Sequence, residues 1–184
     1  MLFLLFLTAA NAQTKADSAG SRARADTSAK HVLHKNIKRS PGPLVIPHSP
    51  VKTLSDTKYN TLLKGGDFDD MALPAVLNHY PLPDSALKYK VKLGLNPDQI
   101  AKLKDVSAAM HRKKVEMGGN IIHNEKMLDT LFKTKQADDG TIIFYTNRYG
   151  LYLGEIRNAV LQACYKTENI LSDEQIKKLE SLER

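Results

Sequence analysis

The chain has 184 residues, 42% of them hydrophobic, a formal net charge of +7 and a single cysteine. That length gives room for one domain and a tail, and one cysteine excludes an internal disulfide. Residues 13–58 hold nine Lys/Arg against three Asp/Glu while residues 59–184 hold eighteen against seventeen, so the positive excess sits in a tail rather than on a folded surface, which argues against a nucleic-acid partner.

Residues 1–12 read as a secretory signal peptide. Leu2 to Leu7 is wholly apolar, and Ala10-Asn11-Ala12 fits the small-x-small cleavage rule, with the cut before Gln13. The apolar run is too short to span ~30 Å of hydrocarbon, and no cysteine near the cut would carry a lipid anchor. Export to the periplasm is the expectation, with no transmembrane span in the mature chain. Residues 13–58 are rich in Ser, Ala, Lys and Arg and contain Pro41, Pro43, Pro47 and Pro50; this composition predicts a disordered basic tether. His31 and His34 lie within it at i, i+3 spacing, and the solvated-tail reading is favoured over a metal site there.

Residues 59–83 are expected to be irregular and to dock onto a helical body. Residues 84–184 are read as a helical-hairpin domain. Asp84 opens a short helix that Gly94 ends. Asn96 is a suitable N-cap, Pro97 a suitable first helical residue, and Gln99 completes a capping box. The helix that follows is predicted over 97–133. Its 3–4 stripe runs Ile100, Leu103, Ser107, Met110, Lys114, Met117, Ile121, Asn124, Leu128, Leu131. Gly118-Gly119 interrupts it at about 1 kcal/mol per glycine relative to Ala, and suits a bend or a close helix contact. A turn at 137–140 leads to a third helix from about Thr141 to Asn169. Ser172 and Gln175 repeat the capping box ahead of a short last helix. The predicted fold is all-α: a long antiparallel helical hairpin with short flanking helices. A lone hairpin buries little, so dimerisation along the apolar stripes is expected.

The two boxes, Leu95-Asn96-Pro97-Asp98-Gln99 and Leu171-Ser172-Asp173-Glu174-Gln175, resemble the repeated Leu-Thr-x-x-Gln motif of the periplasmic superfamily that includes the Spy and CpxP chaperone-like proteins, the zinc-resistance-associated proteins and the CnrX-type heavy-metal sensors. Asparagine and serine replace both threonines but keep the capping chemistry. Leu77-Asn78-His79-Tyr80-Pro81, with Leu87 and Leu93-Gly94-Leu95, resembles the heavy-metal-resistance branch. The resemblance covers roughly residues 70–183, with Leu95, Gln99, Leu171 and Gln175 as its motif residues. It implies an all-helical, cradle-like envelope homodimer without catalytic activity. In the sensor branch the metal ligands fall where this chain has Ala86, Lys90, Ser107 and Ala163, none of them a good ligand.

Catalysis is not expected, because there is no Gly-rich phosphate loop, no nucleophile motif and no HExxH. Two binding readings remain. Met110, Arg112, Lys113, Met117 and Ile121 combine adaptable apolar side chains with cations and suit a loose, promiscuous site for unfolded polypeptide or a regulatory partner. The competing reading places Met110 and Met117 in a dimer core and His111-Arg112-Lys113-Lys114 on a solvated face. Tyr145, Tyr149 and Tyr152 raise the same choice. The alternative function is a periplasmic heavy-metal sensor or buffer that holds a divalent transition metal (Zn, Ni, Cu) with some of His111, Glu116, His123 and Cys164. Hairpin geometry brings Cys164 nearest His111. A buried, inert cysteine is the favoured alternative there.

Overall fold

The structure, a computed structural model, describes residues 46–184 apart from Asp69. The expected signal peptide, most of the expected tether, and His31 and His34 lie outside the described residues. All described residues belong to one compact unit, Pro43–Arg184. Every regular element among them is a helix: α1 Asp56–Lys64, α2 Leu73–Val76, α3 Pro83–Lys88, α4 Lys90–Leu93, α5 Pro97–Lys133, α6 Asp139–Glu168 and α7 Asp173–Glu183.

Local chemistry explains the helix starts. Ser55, Asn96, Asp138 and Ser172 each accept a hydrogen bond from a backbone N–H of the first turn. At Asn96, Asp138 and Ser172 the third helical residue answers with its own side chain, so three capping boxes are complete. The box at Asp138 pairs it with Thr141. Thr141 hydrogen bonds also hold the Asp138 carboxyl below the usual carboxylate range. Gly65 and Gly94, both at positive φ, end α1 and α4.

α5 and α6 run side by side in opposite senses. Met110 packs with Val160 and Cys164, and Asn124 donates to the Tyr145 carbonyl at 3.0 Å. The rest of the chain wraps one side of this pair and closes three apolar clusters along it. In the first, Val51, Leu54 and Leu62 pack on Met117, Ile121, Tyr152 and Ile156. In the second, Met71, Ala75, Tyr80 and Leu82 cover Met110, Val160, Ala163 and Cys164. The third joins α3, α4, α5 and α7 through Ala86, Leu93, Leu95, Leu103, Leu171, Ile176 and Leu179.

The predicted stripe of α5 is buried or half-buried at all ten positions. Its three polar members each find a partner. Ser107 donates to Asp84, Lys114 donates to Asp67, and Asn124 donates to Tyr145. This is what burial of polar groups requires.

The fold departs from the sequence reading in four places. Order reaches further toward the N-terminus than residue 58: Val51 and Leu54 are buried and α1 begins at Asp56, because apolar residues among the prolines find a surface on α5. The segment 59–83 is not wholly irregular, since it contains most of α1 and all of α2. The short helix after Asp84 breaks at Tyr89 into α3 and α4, and its N-cap is Leu82 with Pro83 at the first turn. Asp84 instead reaches α5. Finally, Lys114 is no part of a solvated face: its side chain is 3% exposed, and its ammonium meets Asp67.

Gly118 gives the first cluster its shape. A Cβ there would lie 2.1 Å from the Leu62 carbonyl oxygen, so the end of α1 rests directly on the α5 backbone. Gly119, its neighbour, faces open space. The pair therefore serves close contact at one residue only.

Candidate functional site

The two capping boxes meet in space. Gln99 and Gln175 face each other across the base of the α5–α6 pair: the Gln99 amide donates to Gln175 Oε1 at 2.9 Å, and the Gln175 amide returns a bond to Gln99 Oε1 at 3.3 Å. Gln99 also donates to the Ile170 carbonyl at 2.9 Å. Each glutamine oxygen meanwhile accepts its own N-cap N–H, from Asn96 at 3.2 Å and Ser172 at 3.0 Å. Leu95 and Leu171 lie in one cluster beneath them. The motif is thus a structural clasp that fixes the start of α5 against the start of α7. The signal for this contact lay in the repeat itself, since like boxes at both ends of a folded-back helix pair come level.

The polypeptide-binding set divides. Met110, Met117 and Ile121 are 3%, 6% and 0% exposed, so Met117 and Ile121 are core and offer nothing to a partner. The apolar stripe at helical spacing faces α1 and α6 rather than solvent. Tyr152 likewise is buried. Arg112 is exposed and Lys113 half-buried. Both, with the edge of Met110, line a cavity of about 280 Å³ in the seam between α5 and α6.

This seam faces away from the wrapping segment. Its floor is apolar and small: Val106, Ala109, Ala159 and Ala163. Small side chains at these positions leave a furrow between the two helix backbones, and long ones stand at its edges. A second opening of about 520 Å³ shares Val106 and Lys166 and adds Lys102, Asp105, Tyr165 and Ile170. Lys102, Arg112, Lys113 and Lys166 thus face Asp105 and Glu155 around the two openings, a balance of +2 from four cations and two acids. Lys113 also bonds Glu116 at 3.1 Å, one turn along α5. Sequence reasoning missed α6's share of this furrow because Ala159 and Ala163 carry no chemical signal of their own.

The metal set does not converge. His111 Nε2 lies 2.6 Å from Asp84 Oδ2, where the geometry ties α3 to α5. It does not pair with Cys164. The cysteine is 0% exposed among Met110, Val160 and Ala163, and burial pushes its thiol up to about 11. A thiol held protonated is a poor metal ligand. Glu116 is exposed and paired with Lys113, and His123 is exposed about two turns further on. Among the described residues no three of His, Cys, Asp and Glu come together as a metal site. Ala86 and Ala163 are buried in the core, and Ser107 is engaged by Asp84.

Compared with models of known protein families, with curated proteins and with solved structures, the chain matches none of them. No helix among the described residues is long and apolar enough to cross a membrane.

Proposed function

We propose that the protein is a non-catalytic periplasmic protein of the Spy/CpxP and heavy-metal-resistance type, which binds exposed segments of other polypeptides along the α5–α6 seam. One observation carries this reading: a furrow with an apolar floor and a cationic rim lies on the side of the helix pair that the wrapping segment leaves bare. A flat apolar floor accepts varied side chains, and the cations at Lys102, Arg112, Lys113 and Lys166 favour segments that carry acids beside their apolar residues. Openness and small depth suit weak, exchanging contacts rather than a tight small-molecule site.

The test is suppression of aggregation of a denatured client by the mature chain, with and without zinc, nickel or copper. Suppression is expected, and Arg112→Glu with Lys113→Glu should weaken it several-fold while the helical circular dichroism stays unchanged. No suppression at several-fold molar excess would remove the chaperone form of the proposal. Suppression that depends on added metal would move the reading to the metal-responsive alternative.

A further inference from the structure

We propose that α2 and the turn before it form a second docking groove, for a segment of a partner protein that carries basic residues beside apolar ones. Met71-Ala72-Leu73-Pro74-Ala75-Val76-Leu77 is seven apolar residues in a row, so α2 and its flanks are apolar on every side. A helix of that kind belongs in an interior. Only half of this one is covered. Met71, Ala72 and Ala75 pack on the cluster that holds Met110 and Cys164, while Leu73, Val76 and Leu77 are 46%, 43% and 69% exposed. Large apolar side chains gathered on one uncovered face mark an interaction surface rather than scattered surface residues.

The surface is concave. Phe68, Met71, Leu73 and Val76 line a cavity of about 330 Å³, and among the described residues the only charged ones lining it are Asp67 and Asp70. Asp67 takes the ammonium of Lys114 on one oxygen, yet its side chain is 80% exposed and that of Lys114 only 3%. The carboxylate therefore forms the outer edge and the cation lies beneath it. Asp70 is exposed and has no ion-pair partner among the described residues. Two acids against one sunken cation leave the rim negative.

Charge selects the occupant. The floor accepts apolar side chains of any source, and the rim discriminates between them. It favours Lys or Arg beside those side chains, and it opposes anionic lipid and the acidic segments that suit the cationic seam. Leu77 follows Val76 and extends the apolar surface beyond the cavity. A peptide spans both, whereas a small molecule of the cavity's size fills only one. The groove lies on the wrapped side of the helix pair, away from the seam, and its occupation does not depend on the seam's.

Fluorescence anisotropy of a short labelled peptide of alternating leucine and lysine, titrated with the mature chain, tests this. Saturable binding is expected. Serine in place of leucine in the peptide should weaken it about tenfold, and Leu73→Ser with Val76→Ser in the protein should do the same. Asp70→Asn, which the positive φ of that residue tolerates, should weaken it about two- to fivefold, the effect of one exposed ion pair. Arg112→Ala with Lys113→Ala should leave it unchanged. Leu73 and Val76 reach solvent, so their variants should keep the wild-type melting curve; if they do not, Leu77→Ser carries the same expectation from a more exposed position. A serine–lysine peptide bound as tightly, or binding indifferent to the apolar and Asp70 changes, would overturn the proposal. Binding lost with Arg112→Ala and Lys113→Ala would also overturn it, by assigning the peptide to the seam. So would no binding by the wild-type chain; binding that then appeared with Lys35→Glu, Lys38→Glu and Arg39→Glu would assign the groove to this chain's own basic stretch. Peptide binding at α2 without any suppression of aggregation would leave this proposal standing and remove the seam reading instead.

Discussion

Gly118→Ala and Gly119→Ala differ by one position on α5 and should shift stability in opposite directions. At Gly118 the new methyl would sit 2.1 Å from the Leu62 oxygen and 2.8 Å from its carbonyl carbon, where ordinary contact begins at 3.4 Å. The end of α1 must therefore retreat by about 1.3 Å, the difference between 3.4 and 2.1. The atoms in the way are backbone, so no rotamer change relieves them. Retreat loosens Val51, Leu54 and Leu62, which are 3%, 4% and 1% exposed. Each is worth ~1.5–3 kcal/mol when fully buried, and losing a part of that costs about 2–4 kcal/mol. Removing a glycine from a helix interior returns about 1 kcal/mol. The net expectation for Gly118→Ala is a loss of ~1–3 kcal/mol, within the range for overpacked cores. Gly119→Ala meets nothing within 4 Å and should gain up to ~1 kcal/mol. Urea unfolding followed by circular dichroism measures both. Hydrogen exchange should show faster amides over 51–64 in Gly118→Ala alone. Equal stability of the two variants would refute the argument that α1 rests on the α5 backbone.

The glutamine clasp should appear as coupling. Gln99→Ala and Gln175→Ala each lose ~1 kcal/mol or more, and a double-mutant cycle should return a coupling near ~1 kcal/mol; additivity within ~0.3 kcal/mol would mean that the amides do not act together. Lys114→Met replaces a buried ammonium stem with an apolar one of similar length and should cost less than ~1 kcal/mol or stabilise, while Lys114→Ala leaves a hole beside Gly65 and should cost ~2 kcal/mol or more. A loss for methionine as large as that for alanine would show that the Asp67 contact, not the packing, is what matters. Cys164, with its thiol raised to about 11, should react with iodoacetamide at pH 8 far more slowly in the native chain than in urea. Comparable rates would show that the second apolar cluster opens readily.

The long helices were legible because their signals are local and repeated. A ten-position stripe, a proline at the first turn and a glutamine three residues past the cap bound α5 at Pro97 and Lys133, where its ends are found. The polar members of the stripe were legible as positions but not as partners. Nothing local to Lys114 says that Asp67 will meet it across forty-seven residues. The order of residues 46–58 was hidden for a related reason. Its prolines and basic residues describe an unfolded composition, while Val51 and Leu54 gain their burial only from a surface that α5 and α6 supply. Met117 and Ile121 were misplaced as a binding surface by the same omission: once α1 is present, the stripe has no free face to offer.

Those pairings also decide which side of the helix pair stays bare. Ser107 and Lys114 sit on the α5 stripe and would be costly to bury alone. Asp84 and Asp67 satisfy them, and both belong to the wrapping segment. Lying on the seam side instead would forgo both pairings. The wrapping segment is therefore held to one side by polar matching as much as by Val51, Leu54 and Leu62. The seam needs no such matching, since alanines form its floor and its long cations reach solvent. It follows that substitutions of Asp67 or Asp84 should loosen the covered side and leave the furrow's shape intact, whereas enlarging Ala159 should fill the furrow and leave the wrap undisturbed.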